Sequence, residues 1–396
     1  MNESGMTGKE LYDYRVKLYR QAHTFQKPER VLLNPYLYGW MYTDAGYKVA
    51  EAARDYKICE ECMELMAQKY KIDALNIGNS GFRFRLRLYD ALGGSANYSA
   101  ASGSDNLNAI FEDLFSPDDY DAMKENMMKT VWEKGLFKMY PAAKEYTPEQ
   151  MAQAAKEMWL LNKTKKEADA RIREKYGLLI EKQFDMFNVF FDKLFNSYRG
   201  IKGISMDLRR CPDKVAELCE IEDEKMLKNF EKQMDALDDG PGDLNYYDVM
   251  ITMLGHTILN HKQLERFFLK PMKKALDIME KKGKLVLIQC EGSFERFGDF
   301  LNDYKKGTIN MIVEMDDPYV LRKKFPNLAL TGGLSVDVMG NGTPQECVDM
   351  AKRAIDELGA DGGLVLMPNK MVSYSYDMKS ENLKAVGEFV SSYKIN

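Results

Sequence analysis

The sequence predicts an α/β fold of parallel β/α units, because apolar runs alternate with helical patterns through its last third. Each run suits a strand buried on both faces, and each ends in small or polar residues. In such folds, ligands and catalytic groups gather at the carboxyl ends of the strands. The polar residues that close these runs are therefore the first candidates for a functional site. The runs are LVLIQCEG at 285–292, NMIVEMDD at 310–317, ALTGG at 329–333 and GLVLMPNK at 363–370.

Earlier segments extend the same pattern. A helical lead-in is predicted over residues 1–28, and residues 100–245 are predicted to be mainly helical. That stretch is too long for a simple β/α connection, so we expect a helical elaboration over the mouth of a barrel. No internal repeat or low-complexity linker divides residues 1–396, so one domain is expected. Three further strands are predicted, in RVLLNPYLYGWMY at 30–42, IDALNIGNSG at 72–81 and DVMITMLGH at 248–256.

Composition and charge exclude several classes of protein. The 396 residues include 61 acidic and 56 basic side chains, for a net charge of −5, and no block is strongly basic, so nucleic acid is not an expected partner. No apolar run approaches the roughly 20 residues of a membrane span, and the polar N-terminus lacks the apolar core of a signal peptide. A cytoplasmic protein without membrane contact is expected. Cys59 and Cys62 are predicted to pack, reduced, on one face of a helix.

Glu291 and His256 are the candidate catalytic residues. Glu291 closes the run LVLIQCEG, where alternation places Gln289 on the same side of the strand and Cys290 on the other. A carboxylate there could act as a general acid or base, hold a metal or anchor a polar substrate. A structural ion pair is the alternative. His256 follows a strand end and could serve in the site or as a structural loop residue, whereas His23 is predicted to be solvated.

Glu314 and Asp316 repeat the arrangement one strand later and share a side of the chain. His256, Glu291 and Glu314 are the candidate metal ligands, but two histidines and a carboxylate at fixed spacing are not present. Asp317 is expected to cap the following helix instead. The candidate substrate-binding residues are polar or aromatic side chains near strand ends, namely Asn34, Tyr36, Tyr38, Tyr42, Asn76, Asn79, Gln289, Asp316 and Asn369.

Together these motifs resemble the uroporphyrinogen decarboxylase superfamily. The C-terminal series reads QCEG, EMDD, TGGLSVDVMGNGTPQECV and DGGLVLMPNKMVSYSYDMKSENLKAV, and PERVLLNPYLYGW and KIDALNIGN are similar to the first two strands. The resemblance spans nearly the whole chain. It implies a distorted (β/α)8 TIM-type barrel with a cleft at the strand C-termini, often as a homodimer.

The chain departs from true uroporphyrinogen decarboxylases in the groups that bind substrate. Those enzymes carry an Arg-Gln-Ala-Gly-Arg loop after the first strand, where this chain reads YGWMYTDAGYKV. Their Ser-Asp and late Gly-His-Gly motifs are replaced by GNS at 78–80 and PNK at 368–370. A substrate with many carboxylates needs cationic partners, so this departure argues against haem-pathway decarboxylation. A lyase acting on a tetrapyrrole or a smaller acid is kept as an alternative.

The chain is more similar to the corrinoid-dependent methyltransferases of the superfamily. It shares GH at 255–256, HKQLERFFLKPMKK at 261–274 and EG at 291–292 with components that handle methyl donors in anaerobic demethylation. The resemblance implies transfer of a methyl group from a small donor, such as a methoxylated aromatic compound, to the corrinoid (cobalamin) of a corrinoid-binding partner protein. The zinc-binding His-x-Cys of thiol-activating members is replaced by QCE at 289–291, so the resemblance does not carry zinc over. A non-catalytic tetrapyrrole- or corrinoid-binding protein is the other alternative.

Overall fold

The computed structural model describes residues 3, 5–76, 85–94, 98–99, 105, 108–109, 113–180, 185–236 and 246–395. All seven segments predicted as strands contain one. The strands within the described ranges are β1 Leu32–Leu33, β2 Ala74–Asn76, β3 Tyr98–Ser99, β4 Asn108–Ala109, β5 Leu179–Ile180, β6 Asp185–Phe187, β7 Val249–Met253, β8 Val286–Cys290, β9 Ile309–Ile312, β10 Ala329–Leu334 and β11 Leu364–Pro368.

Helices cover most of the remaining described chain. Within these segments, no helix combines the length and apolar character needed to cross a bilayer. The α-helices are α1 Gly8–His23, α2 Gly39–Asp44, α3 Val49–Ala52, α4 Tyr56–Lys69, α5 Leu86–Ala91, α6 Tyr120–Thr130, α7 Leu136–Met139, α8 Pro148–Tyr176, α9 Phe190–Lys193, α10 Gly200–Arg210, α11 Pro212–Ala236, α12 His261–Leu264, α13 Lys270–Lys281, α14 Pro318–Lys324, α15 Val336–Asn341, α16 Pro344–Leu358 and α17 Ser380–Ser392.

The strands form a parallel circuit of the TIM-barrel type, which confirms the predicted fold class. Seven strands are hydrogen-bonded in the order β1-β11-β10-β9-β8-β7-β6, and β2 pairs with β5. The backbone of Asp73 links the two sets, because its N–H donates to Leu33 at 3.0 Å and its carbonyl accepts from Leu179 at 2.9 Å. β5 pairs with β2, β6 pairs with β7, and these two strands flank residues 181–184 in the chain.

Strand alternation separates the barrel interior from the outer layer of helices. Leu287 of β8 packs with Leu32, Val365 and other interior side chains, whereas Ile288 and Cys290 pack with the surrounding helices. This two-sided burial explains why the strands were recognisable as continuous apolar runs. The carboxyl ends of the parallel strands meet at one end of the barrel, here called the mouth.

The predicted lead-in helix closes the opposite end of the barrel. Tyr19 and Val16 of α1 belong to the interior cluster, and Tyr19 is fully buried. His23, at the last turn of α1, is also fully buried, with its Nε2 3.3 Å from the Thr308 carbonyl. Burial lowers the pKa of His23 to about 3. The prediction that His23 is solvated was therefore wrong, because α1 lies under the barrel rather than on its surface.

The stretch 100–245 is mainly helical in its described parts, as predicted, but the prediction missed short strands within it. Helices α6 to α11 lie in its described parts, yet the same stretch holds β5 and β6. These strands are two and three residues long, so neither presents the long apolar run by which the other strands were recognised. A π-helical turn, Glu265–Leu269, comes just before α13, which holds Pro271 in its first turn.

Local helix signals were read correctly. Asp317 caps α14 by accepting from the Tyr319 N–H at 2.8 Å, as predicted. Cys59 and Cys62 lie on the buried face of α4 as free thiols, also as predicted. Both outcomes follow from side chains that act within a turn or two of their own position.

Candidate functional site

The end of β8 places a carboxylate and an amide at the mouth. Gln289 follows the interior residue Leu287 by two positions, so its side chain points into the barrel. The Glu291 N–H donates to the Met253 carbonyl at 3.0 Å, which keeps Glu291 in the β-ladder after the strand ends. The alternation therefore continues, and it brings the half-buried Glu291 carboxylate to the rim directly above Gln289.

The Gln289 side chain is largely buried, and its amide makes no hydrogen bond. Only 7% of the residue is exposed, and its side chain bonds to no other residue in the part of the chain that the structure describes. The amide is not among the polar atoms that are sealed from solvent without a partner. An amide left open toward the mouth is therefore a group available to a ligand.

Asp192 of α9 is a site residue that the sequence reading missed. Its carboxylate accepts from the N–H of Gly255 at 2.5 Å and of Leu254 at 3.4 Å, so it holds the turn after β7. Burial raises the pKa of Asp192 to about 7, the two N–H donors lower it partly, and the nearby Glu291 carboxylate raises it again. Perturbed carboxyl groups of this kind are common at functional sites. No sequence motif marks Asp192, since it lies far along the chain from β7 and β8.

Glu314 and Asp316 are tied to the loop after β8. Glu314 accepts from the Gly292 N–H at 2.5 Å. Asp316 accepts from the Ser293 hydroxyl at 2.5 Å and from the Phe294 N–H at 2.8 Å. The structure thus brings both residues next to Glu291, as their strand-end positions suggested. Both carboxylate oxygens of Asp316 accept hydrogen bonds from this loop and order it. Its substrate-binding role stays a prediction.

Asn369 connects three strand ends. Its side-chain oxygen accepts from the Val336 N–H at 2.9 Å, and its amide nitrogen donates to the Glu314 carbonyl at 3.3 Å. Its own N–H donates to Leu334 at 2.8 Å. These bonds hold the ends of β9, β10 and β11 in register around a cleft of about 440 Å³ that Glu314 and Asp316 also line.

His256 lies behind the strand ends rather than in the mouth. It is fully buried, with edge-to-face contacts to Phe268 and Phe294, and its Nε2 lies 3.9 Å from the Cys290 Sγ. Burial lowers the pKa of His256 to about 4, against the opposing effects of the Ser293 backbone and the Asp316 carboxylate. The ring is therefore neutral at pH 7. Its catalytic role stays a prediction, and the side chains that its ring contacts belong to the outer layer.

The predicted residues near β1 divide between the interior and the outer layer. Asn34 is fully buried, with its amide 3.3 Å from the Met367 sulfur. Tyr36 lies in the interior cluster with a φ of 52°, a strained conformation for a residue with a side chain. Its ring meets Tyr38 edge-to-face at 6.4 Å. Tyr42 instead packs in the outer layer, where its hydroxyl lies 3.5 Å from the Cys59 sulfur.

Two predicted residues cannot be placed by side chain. Asn76 ends β2, but only its backbone belongs to the described structure. Asn79 lies outside the described residues. Their substrate-binding roles stay predictions that rest on the strand-end pattern alone.

The residues at the mouth do not form a zinc-thiolate site. Among the described residues, no three His, Cys, Asp or Glu side chains are grouped so that they could hold a metal ion. Cys290 faces the outer layer, and burial together with the surrounding carboxylates raises the pKa of its thiol well above the usual range. The Cys290 thiol therefore points away from the barrel mouth.

A larger cavity lies at the other end of the barrel. It measures about 930 Å³ and is lined by residues such as Arg15, Asp73 and Lys384 near the amino ends of the strands. Arg15 and Arg30 are bound there to Asp73 at 3.0 and 2.6 Å, which satisfies the buried charges. Active sites of TIM-type barrels lie at the carboxyl ends of the strands. We therefore place the candidate site at the mouth rather than in this cavity.

Comparison with known proteins agrees with this architecture. The family model of uroporphyrinogen decarboxylase (URO-D) matches residues 194–393, half of the chain, so the chain belongs to the URO-D family. No curated protein sequence matches it. Among solved structures, a methyltransferase from Methanosarcina mazei is similar in fold, with a TM-score of 0.57, 12% identity, and 98% of each chain covered.

Proposed function

We propose that this protein is a methyltransferase that moves a methyl group from a small donor to the corrinoid of a partner protein. The observation that carries the proposal is the acidic mouth, where Glu291 and Glu314 lie on neighbouring strand ends above the open amide of Gln289. The URO-D family and the fold shared with a methyltransferase from Methanosarcina mazei support the reaction class. The corrinoid partner and a homodimer are predictions from the resemblance.

The acidic mouth disfavours the decarboxylase alternative. A substrate with many carboxylates would need cationic side chains to balance its charge when it is buried. Among the residues that the structure describes, the strand ends carry carboxylates, and two cations of neighbouring loops are engaged elsewhere. Lys370 pairs with Asp377 at 3.1 Å, and the Arg296 guanidinium lies 4.2 Å over the Phe297 ring.

The roles of the residues follow from their positions. A reduced corrinoid supplies the nucleophile, so the enzyme must orient the donor and stabilise the leaving group. Gln289 fixes the donor by hydrogen bonding inside the barrel, and Glu291 lies at the rim where the leaving atom would be held. A carboxyl group there can protonate an oxygen leaving group or balance the charge of a nitrogen one. Tyr36 offers an aromatic surface on the β1 side.

The test is methyl transfer to free cobalamin in its reduced form, followed by absorbance, with a panel of methylated ethers, alcohols and amines. We expect at least one donor to be demethylated, and Glu291→Gln to lower kcat/KM for that donor roughly 100-fold. Asp337→Asn, an exposed change in the first turn of α15, is the matched control and should leave the rate unchanged.

Two results would contradict the proposal. One is tight binding of cobalamin without transfer from any donor, which would favour the non-catalytic alternative. The other is transfer that Glu291→Gln leaves at the wild-type rate, since the acidic mouth would then take no part in the reaction.

A further inference from the structure

We infer that the mouth binds a cationic methylated amine, held by the amide of Gln289 and the carboxylate of Glu291. The inference rests on the proposed function and names its substrate class. It uses two independent observations: a buried polar side chain that points into the barrel with no partner, and the sign of the charge that surrounds it.

The first observation concerns hydrogen bonding. The Gln289 residue is 7% exposed, and its amide is unbonded within the described chain, so the amide oxygen can accept and the nitrogen can donate. Its neighbour along the same face of β8 is Glu291, which can only accept while it is ionised. A ligand that donates an N–H to the Gln289 oxygen and carries positive charge toward the Glu291 carboxylate suits the chemistry of both groups.

The second observation concerns charge. Glu314 and Asp316 both contact the loop that follows Glu291, through the Gly292 N–H and the Ser293 hydroxyl. Low-dielectric surroundings strengthen the attraction of such a cluster for a cation and its repulsion of an anion. An acidic methoxybenzoate is therefore a poor fit, and a methylammonium is a good one.

The chemistry of a cationic donor also suits these residues. The bond between nitrogen and the methyl carbon breaks with its electron pair remaining on nitrogen, and the reduced corrinoid supplies the pair for the new bond to carbon. The donor's positive charge is neutralised by its own departure, so a neutral amine leaves and no proton has to be delivered. Glu291 then serves as a counter-ion that stabilises the bound cation, and Gln289 orients it.

Calorimetric binding to the full-length protein tests the inference without requiring turnover. The probes are trimethylammonium, tetramethylammonium, the neutral tert-butanol and the anion pivalate, which share a similar size. We expect the two cations to bind at least about 10-fold more tightly than tert-butanol, and pivalate to bind most weakly. For trimethylammonium, a hydrogen bond to a charged group corresponds to about 10- to 100-fold in affinity, whereas tetramethylammonium gains from charge attraction alone.

Variants separate the two groups. Glu291→Gln should weaken both cations about 10- to 100-fold and strengthen pivalate, a gain that an unfolded variant would not show. Gln289→Met, similar in shape, should weaken trimethylammonium, which has an N–H, more than tetramethylammonium, which has none. Asp337→Asn is the control of equal charge change and should alter none of the affinities.

The outcomes distinguish this inference from the proposed function. Equal binding of tert-butanol and trimethylammonium, or cation binding that neither variant changes, would overturn the inference. Methyl transfer from a neutral ether without cation binding would also overturn it while leaving the proposed function standing. Cation binding that depends on both residues, without transfer to cobalamin, would support the site and contradict the methyltransferase.

Discussion

Burial shifts the pKa values of ionisable side chains behind the mouth in the direction that favours their neutral forms. Burial raises the pKa of Asp192 and of Asp223 to about 7, although backbone N–H donors oppose the shift in each case. Burial lowers the pKa of His256 to about 4. Neutral forms prevail because desolvation penalises charge, and the carboxylates of this region repel one another. Buried ionisable groups reduce the stability of the fold, and they are common at sites that bind a ligand.

Asp192→Asn is expected to stabilise the protein more at alkaline than at acidic pH. The usual pKa of an Asp side chain is 3.8, and the pKa of Asp192 in the folded protein is about 7. The contribution of Asp192 to stability is therefore full below pH 3.8 and is lost as the pH rises through about 7. Each pKa unit corresponds to about 1.4 kcal/mol. Urea unfolding at roughly pH 5 and pH 8 measures the difference, and asparagine retains an oxygen for the Gly255 N–H.

The control for this comparison is Asp337→Asn, whose exposed side chain should change stability equally at both pH values. If Asp192→Asn shifts the unfolding midpoint by the same amount at both pH values, then Asp192 is ionised in the folded protein at neutral pH, and its assignment as a neutral group is wrong.

At the scale of elements, the contact between α1 and α8 depends on a glycine. Gly177 ends α8 with a φ of 63°, a left-handed conformation that favours glycine. A Cβ at this position would lie 2.6 Å from the Gly8 carbonyl at the start of α1. Since α1 in turn closes the amino end of the barrel, this C-cap sets how closely the long helix can approach the lead-in.

Gly177→Ala is therefore expected to destabilise the protein more than Gly283→Ala. Gly283 has nearly the same φ, 65°, but nothing lies within 4 Å of a Cβ there. Both changes cost the left-handed strain of about 1–2 kcal/mol, and only Gly177→Ala adds a packing cost of about 1–3 kcal/mol. Urea denaturation of the two variants isolates the packing contribution, and equal losses would show that α1 moves aside freely.

At the scale of the whole molecule, the barrel is closed at one end and open at the other. Asp73 binds Arg30 at 2.6 Å and Arg15 at 3.0 Å, which joins α1 to the first two strand segments. Burial alone would raise the pKa of Asp73, but the two guanidinium groups outweigh it and hold the pKa at about 2. With the amino end packed and charge-balanced in this way, ligands have access from the mouth.

Tyr19→Ala should test whether the lead-in helix is part of the core. Tyr19 is fully buried at the closed end, so its truncation should cost about 3–5 kcal/mol, as for other large core side chains. Tyr376→Ala is the matched control, because that side chain is 70% exposed and should cost under about 0.5 kcal/mol. The single-domain expectation also predicts one cooperative urea transition for both variants. A separate early transition in Tyr19→Ala would contradict it.

Much of the fold could be predicted from sequence because its signals are local. Strands β7 to β11 are apolar runs of four to six residues that end in polar ones, and the Asp317 cap acts within one turn. The same local pattern placed Gln289 and Glu291 on one side of β8. These features depend on residue period and on neighbours two to four positions away, which a single sequence displays directly.

What only the tertiary structure decided is which distant residues meet. Asp192 reaches the turn at Gly255 because β6 and β7 are neighbours in the barrel, and His256 is buried because the π-helical turn before α13 and the loop after β8 cover it. His23 is buried because α1 closes the barrel. The sequence by itself determined the strands and the polar residues at their ends. Barrel closure decided which of those residues face the interior, since parallel strands bring together side chains that are far apart in the chain.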